Sequence, residues 1–171
     1  MSEVVVDRLE PLGMIVLRGD PETLGAATRE ILALDVPHAR MSRADARGRL
    51  VWMSPDELLF VGAYDEVPDI ALRLREALGD AFATVAVVSD ARAAFDLTGG
   101  DPRDVLAKLM PVDFGAMAEA EVRRSRMAQV AAACWREGAA WRVVCFRSVA
   151  DYAEALLRNA AATPPPGLYR G

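Results

Sequence analysis

Residues 95–109 read FDLTGGDPRDVLAKL and residues 14–24 read MIVLRGDPETL, and the two stretches share one plan. In each, an apolar or alternating run stops at glycine, and an Asp-Pro pair opens a segment whose apolar residues fall at helical spacing. Phe95 and Leu97 point to one side of an extended chain and Asp96 and Thr98 to the other, which is the period of a half-buried strand. Asp20 and Asp101 are good helix N-caps, and Pro21 and Pro102 suit a first turn, where the missing N–H is not needed. Both places are therefore read as strand, glycine corner and capped helix.

The order on either side of these corners is also alike. In the first half Leu24, Ala27, Ile31 and Leu34 continue the helix, residues 50–53 form a strand, Ser54-Pro55-Asp56-Glu57 turns, and residues 58–62 return. A helix over 67–78 then places Ile70, Ala71, Leu74 and Leu78 inward, and a strand follows at 83–88. In the second half Val105, Leu106 and Leu109 face inward, residues 127–135 read as one long strand, Arg136-Glu137-Gly138 turns, and residues 141–146 return. Ser148 is expected to cap a last helix carrying Val149, Tyr152, Leu156 and Leu157 on one face. Trp52 and Trp135 take corresponding places, which sets a repeat of roughly 80 residues, too long for a two-copy solenoid.

The expected fold is α+β, built from duplicated βαββα units in a pseudo-twofold relation with a mostly antiparallel sheet. Residues 1–12 form an N-terminal segment, 13–160 a single globular domain of two similar halves (13–88 and 89–160), and 161–171 an extended Pro-rich tail.

Composition narrows the function. With 53% hydrophobic and 26% charged residues the chain is expected to pack, and a net charge of -5 with a pI near 5.0 argues against nucleic acid as a partner. No apolar run approaches the ~18 residues of a membrane span, and MSEVVVDRLE is not a signal peptide, so a cytoplasmic location is expected. Cys134 and Cys145 lack metal-ligand spacing, and His38 is the only histidine, so no metal site is expected and both thiols are read as reduced core groups.

The glycine corner at Thr98–Pro102 lacks the Lys and hydroxyl of a phosphate loop and the GxGxxG of a dinucleotide turn, while Asp101 and Asp104 repel an anion there. Asp56, Glu57, Ser89 and Asp90 lie at strand ends, where turn chemistry accounts for them as well as acid–base work does. His38 with Ser42 has no nucleophile-elbow context. Trp52, Trp135 and Trp141 are read as packing residues in preference to a stacking platform. No catalytic, cofactor-binding or metal residue is therefore assigned. The candidate partner contacts are Arg124 and Arg126, which fall on one side of a strand in Arg123-Arg124-Ser125-Arg126, and Leu168 and Tyr169, at the end of the proline tail.

Several segments together resemble a known family. Val88–Gly99 (VSDARAAFDLTG), Arg103–Lys108 and Pro111-Val112-Asp113 are similar to the central signature of the gamma subunit of heterotetrameric sarcosine oxidase. Gly13–Ile15 with Leu17-Arg18-Gly19-Asp20, Trp52 with Pro55-Asp56-Glu57, Arg126–Gln129, Trp141–Val144 and Arg147–Tyr152 fit the same family in the same order, covering residues 13–158. The resemblance implies a fold related to the folate-binding domain of glycine-cleavage aminomethyltransferases. It also implies a complex that oxidises sarcosine to glycine and passes the one-carbon unit to tetrahydrofolate. In that family FAD, FMN, NAD and tetrahydrofolate are held by other subunits, so this chain is expected to carry no cofactor and to act structurally beside alpha, beta and delta subunits. The alternative is a stand-alone folate- or pterin-binding relative of the one-carbon transferases.

Overall fold

The computed structural model describes residues 3–163, which fall into two compact units, one from residues 11–90 and one from 3–10 together with 91–163. Strand β1 (Val5–Arg8) belongs to the second. The first unit runs β2 (Gly13–Gly19), α1 (Pro21–Leu32), β3 (Ser42–Asp45), β4 (Gly48–Ser54), β5 (Glu57–Gly62), α2 (Val67–Leu78) and β6 (Ala83–Val87). After a single 3-10 turn at Ser89–Ala91, the second unit runs β7 (Arg92–Thr98), α3 (Pro102–Ala107), β8 (Val122–Met127), β9 (Val130–Glu137), β10 (Ala140–Phe146) and α4 (Ala150–Ala162).

Each unit holds one five-stranded antiparallel sheet, in the order β3-β4-β5-β2-β6 and β8-β9-β10-β7-β1. The sheets correspond place by place, with β1 at the edge that β6 occupies in the other. The duplication is thus real, and each copy is larger than βαββα: three strands follow the first helix, and a fifth strand closes the edge. In the second unit that closing strand comes from the N-terminus, so a forward comparison of the two halves does not meet it.

Three local expectations are corrected. Residues 127–135 are not one strand, because Ala128-Gln129 turns the chain between β8 and β9, with Ala128 at a φ of 50°. The turn's amide is held by tertiary structure, Ala128 N–H donating to the Leu109 carbonyl at 2.8 Å. Ser148 does not cap α4; a 3-10 turn at Arg147–Val149 precedes the helix, whose first residue is preceded by Val149 with no side-chain cap. The inner face of α4 is Ala150, Ala153, Leu157 and Ala160, while Tyr152 is exposed. Small side chains let this helix lie close to its sheet, a preference that a search for large apolar residues misses.

The helix-covered faces form the two cores. In the first unit Ile15, Leu17, Leu50, Leu58 and Phe60 from the sheet meet Leu24, Ile31 and Leu74 from the helices. In the second, Phe95, Leu97, Trp141 and Val143 meet Leu106 and Leu157. Side chains on the opposite faces, among them Met14, Val51, Leu59, Trp135 and Val144, are buried too. Central strands therefore read as nearly continuous apolar runs.

Cations close helix ends in both units. Arg47 donates to the Ile31 carbonyl at 3.2 Å and to that of Leu32, and Lys108 donates to those of Ala160 and Thr163 at 2.7 and 2.9 Å. These groups satisfy terminal carbonyls that lack helical partners and oppose the negative helix end.

A polar network ties the middle of the second sheet. Arg142 grips Asp96 through two bonds of 2.8 Å and reaches Glu137 at 3.3 Å, and Glu137 also accepts from the Trp135 indole at 3.0 Å. Burial, the largest single influence, would lower the Arg142 pKa, but its bonds to Asp96 together with the charges of Asp96 and Glu137 outweigh this and raise it. With the side chains of Arg142 and Asp96 only 15% and 16% exposed, Arg142→Ala strands partly desolvated carboxylates. The expected loss is about 2 kcal/mol in urea denaturation.

Candidate functional site

The two glycine corners are the places where the motifs converge, and they differ in what fills them. At the first, Gly19 N–H donates to the Asp56 carbonyl at 3.0 Å, which joins the end of β2 to the β4–β5 turn. Asp20 Oδ1 accepts from the N–H groups of Glu22 and Thr23 at 2.9 and 3.4 Å, so the start of α1 is capped by its own side chain. Arg18 pairs with Glu57 at 3.3 Å and lies 3.8 Å from Asp56, which also accepts from Ser54 Oγ at 2.7 Å. Beside this charged group lies a cavity of about 190 Å³. Its apolar walls come from Leu24 of α1, Val36 and Pro37 of the following loop, and Trp52 and Leu58 of the hairpin; Asp56 and Glu57 form its polar end.

At the second corner Gly99 and Gly100 have φ of 70° and 34°, and a Cβ on Gly99 would come 2.6 Å from the Glu3 carbonyl oxygen. Asp101 accepts from the Arg103 N–H at 3.1 Å and from its guanidinium at 2.9 and 2.7 Å. That side-chain bond holds the Asp101 carboxyl below its ordinary pKa against the opposing effect of burial. The place a phosphate would take at α3 is held by the chain's own carboxylate. Nearby, the Arg136 guanidinium lies 5.4 Å from the centre of the Trp141 ring, which meets Phe114 edge-on at 5.3 Å.

The strand ladders correct the pairing of the tryptophans. Trp52 lies opposite Leu58, and Trp141 lies opposite Arg136, each at the first pair beyond the turn-closing pair. The register counterpart of Trp52 is therefore Arg136, and Trp135, opposite Arg142, corresponds to Val51. A bulge between Trp52 and Ser54 inserts one residue and produces the offset, which changes the face on which a side chain emerges. Trp52 packs against the helix-covered core; Trp135 is fully buried outside that cluster.

The remaining candidates are dispersed. Arg124 and Arg126 are exposed on β8, at the edge of the second sheet, and Arg126 donates to Gln129 at 3.2 and 3.3 Å. Leu168 and Tyr169 lie outside the described residues. Ser89 Oγ accepts from the Met14 N–H at 2.9 Å, and Asp90 accepts from the Tyr64 hydroxyl at 3.0 Å, so both do local structural work. His38 is exposed in a loop, and Ser42 accepts from Arg49 at 2.8 Å. Among the described residues no group of three or more His, Cys, Asp or Glu could hold a metal ion, and no helix is long and apolar enough to cross a membrane.

Both thiols are free and buried. Burial pushes Cys134 from its ordinary 9.0 up to about 12, the nearby Arg123 opposing only in part, and it also raises Cys145. Between these values the folded state holds a proton that the unfolded state releases, so stability falls as pH rises. We expect wild type to lose about 2 kcal/mol more than Cys134→Ala between pH 8 and 10.5 in paired urea titrations. Equal losses would show that Cys134 does not carry the shift.

The sequence singles out Arg18, Gly19, Asp20, Trp52, Asp56 and Glu57 but neither Val36 and Pro37 nor the cavity, because no pattern within one segment signals a space enclosed by three. The signal available was the co-occurrence of Arg18-Gly19-Asp20 with Trp52 and Pro55-Asp56-Glu57, which the fold brings side by side.

Comparison with solved structures places this architecture. The chain is similar to a chain of the heterotetrameric sarcosine oxidase from Corynebacterium sp. U-96 in complex with pyrrole 2-carboxylate, with a TM-score of 0.85, 23% identity and coverage of 93% of this chain and 84% of that one. It is similar to the glycine cleavage system aminomethyltransferase T from Bartonella henselae, with a TM-score of 0.68 and 13% identity over 91% of this chain, but it spans only 45% of that protein. The regulatory subunit of aspartate kinase from Thermus thermophilus is a more distant likeness, with a TM-score of 0.52, 16% identity and coverage of 92% and 96%. At these identities the likenesses establish the fold alone. No curated protein matches the sequence significantly. The sarcosine oxidase, gamma subunit family matches residues 18–163, from the Arg18 corner through the last helix, and the chain belongs to that family.

Proposed function

We propose that this chain is a non-catalytic subunit of a sarcosine-oxidising complex and contributes buried interface in place of chemistry. The observation that carries the reading is the family match over 18–163, supported by a fold shared nearly end to end with a chain of a heterotetrameric sarcosine oxidase. The placement of the polar groups agrees: Asp20 and Asp101 cap helices, Ser89 and Asp90 bind Met14 and Tyr64 within the first unit, and Cys134 is protonated and buried. The partners are the alpha, beta and delta subunits. FAD, FMN, NAD and tetrahydrofolate belong to those chains, and the assembly is cytoplasmic. Arg124 and Arg126, exposed on an edge strand, suit an acidic partner surface, with Leu168 and Tyr169 as a second contact.

The test is recovery of the full chain, tagged at its N-terminus, from cells growing on sarcosine. Flavin-bearing subunits are expected to accompany it in fixed ratio, and a chain recovered alone under gentle, low-salt conditions contradicts the reading. A folate-binding reading draws on the likeness to the aminomethyltransferase; the cavity at the Gly19 corner, of about 190 Å³, is itself below the ~300–1,000 Å³ usual for small-molecule sites. Calorimetry of the isolated chain with tetrahydrofolate is expected to show no binding heat.

A further inference from the structure

We propose that the outer edge of β6 is a docking strand, on which an extended segment of a partner subunit adds to the first sheet and sets a carboxylate against Arg75. The inference rests on the subunit role proposed above and adds to it a place and the chemistry of what binds there.

The backbone is the first argument. Strand β6 pairs with β2 and ends one side of its sheet. Gly19 N–H donates to the Asp56 carbonyl just before β5, whereas the Met14 carbonyl accepts from Val88 N–H at 2.8 Å, so alternate residues of β2 face β5 and β6. Thr84 and Ala86, opposite Arg18 and Val16, therefore turn their N–H and C=O groups inward, and Ala83, Val85 and Val87 turn theirs outward. Of the outward groups, Ala83 N–H donates to the Ala81 carbonyl at 2.8 Å and the Val85 carbonyl accepts from Arg75. The N–H groups of Val85 and Val87 and the carbonyls of Ala83 and Val87 have no partner among the described residues. Such a row is the template that an added strand completes.

Composition singles this edge out. Strands β1 (Val-Val-Asp-Arg) and β3 (Ser-Arg-Ala-Asp) are short and charged, and β8 carries Arg123, Arg124 and Arg126, all of which discourage strand addition. Strand β6 reads Ala-Thr-Val-Ala-Val, with no charge and no proline. Its surroundings are apolar as well. Phe82, just before the strand, is fully exposed, and so in large part are Val87 and Leu72 of α2. The short connection at 79–82 sends β6 back along α2, and the Arg75–Val85 bond fixes their alignment. Leu72 lies about 4.5 Å back along the helix from Arg75, and Val87 about 6.6 Å onward along the strand from Val85, so the two stand at nearly one level beside the open edge.

Charge selects the occupant. Arg75 donates to the Val85 carbonyl through Nε and Nη2 at 3.2 and 2.9 Å, and among the described residues it pairs with no carboxylate. A carbonyl oxygen has two lone pairs, so this bond leaves room for a ladder bond, and the guanidinium keeps donors for an acid on the incoming strand. The same group opposes a second copy of β6. Antiparallel pairing of two such edges about their middle residue, Val85, brings two Arg75 side chains together with no carboxylate between them. The occupant is therefore a strand of another chain, apolar where it meets Leu72 and Val87 and acidic where it meets Arg75.

The test uses the full chain captured with its flavin-bearing partners. Hydrogen exchange read by mass spectrometry is expected to slow at least tenfold at the Val85 and Val87 amides on binding. Val87→Pro, which removes an outward N–H and spares the bonds to β2, and Leu72→Glu, which offers Arg75 a carboxylate of its own, should each weaken capture at least tenfold, and Arg75→Gln severalfold. Ala44→Pro, on the β3 edge, should stay within twofold. Leu72 is exposed, so that variant folds even if Val87→Pro does not, which circular dichroism will report. Exchange at Val85 and Val87 unchanged by binding, or capture unchanged in both Val87→Pro and Leu72→Glu, overturns the docking strand while leaving the subunit role standing. Loss in Val87→Pro with none in Leu72→Glu and Arg75→Gln overturns the acidic occupant. An isolated chain that dimerises in light scattering and is made monomeric by Val87→Pro assigns the edge to a second copy and also contradicts the proposal. A wild-type chain that captures no flavoprotein removes both proposals.

Discussion

Phe95→Ala is expected to destabilise the chain by about 4 kcal/mol, the cost of deleting a large aromatic from a site that cannot collapse. Phe95 is fully buried at the centre of β7, between Val143 of β10 and Arg8 of β1. Its ring lies in the cluster formed by Leu97, Leu106, Val143 and Leu157, so sheet and helices both lose contacts. Val5→Ala supplies the contrast. Val5 is on the edge strand β1 and 49% exposed, and its truncation is expected to change stability by less than about 0.5 kcal/mol. Urea denaturation followed by circular dichroism checks both. A Phe95→Ala midpoint close to that of Val5→Ala would mean that Phe95 is not at the core of its unit.

The second large effect comes from adding one methyl group. Gly48→Ala is expected to cost about 3 kcal/mol, because a Cβ there would lie 2.4 Å from the Val61 carbonyl oxygen and within 2.8 and 2.9 Å of the Phe60 ring. Gly48 lies opposite Gly62, and Gly62 opposite Gly13, so three adjacent strands carry glycine at one level. Val61 is bound into the β4–β5 ladder and cannot move aside without breaking it. Gly25→Ala, inside α1, is the comparison: a Cβ there meets nothing nearer than 3.6 Å and a helix interior favours alanine, so the change is expected to stabilise by about 0.5–1 kcal/mol. The two substitutions should separate clearly in the same denaturation series. A Gly48→Ala protein as stable as Gly25→Ala would show that crowding does not fix Gly48.

Much of this architecture was legible from residue periodicity because each corner states its own reason. Asp20 and Asp101 are followed by proline and then by apolar residues at helical spacing, and both cap the helices they precede. Helix α2 was delimited correctly by Ile70, Ala71, Leu74 and Leu78 with Gly79 beyond them. What escaped were elements whose stability is tertiary. Strand β3 is the polar Ser-Arg-Ala-Asp, held at a sheet edge by pairing with β4. The Ala128-Gln129 turn has no glycine, asparagine or proline to announce it. Strand β1 joins a sheet whose other strands begin more than 80 residues later in the chain.

The same division holds at the candidate site. Trp52, Asp56 and Glu57 were visible as residues, but the cavity between them depends on Leu24 of α1 and Pro37 of the next loop. The one-residue bulge that sets Trp52 against Arg136, and not against Trp135, is a ladder property that matching of aromatic positions cannot reveal.

The central claim is that this chain holds an oxidase together without taking part in its chemistry. Its most direct test is to purify the sarcosine-oxidising enzyme through a flavoprotein subunit from cells with and without this chain, and to compare mass, heat resistance and turnover per bound flavin. The account predicts a smaller, less heat-resistant assembly whose turnover per flavin persists until it dissociates. Loss of turnover per flavin from an otherwise intact assembly, or an enzyme unchanged in both size and heat resistance, would contradict it.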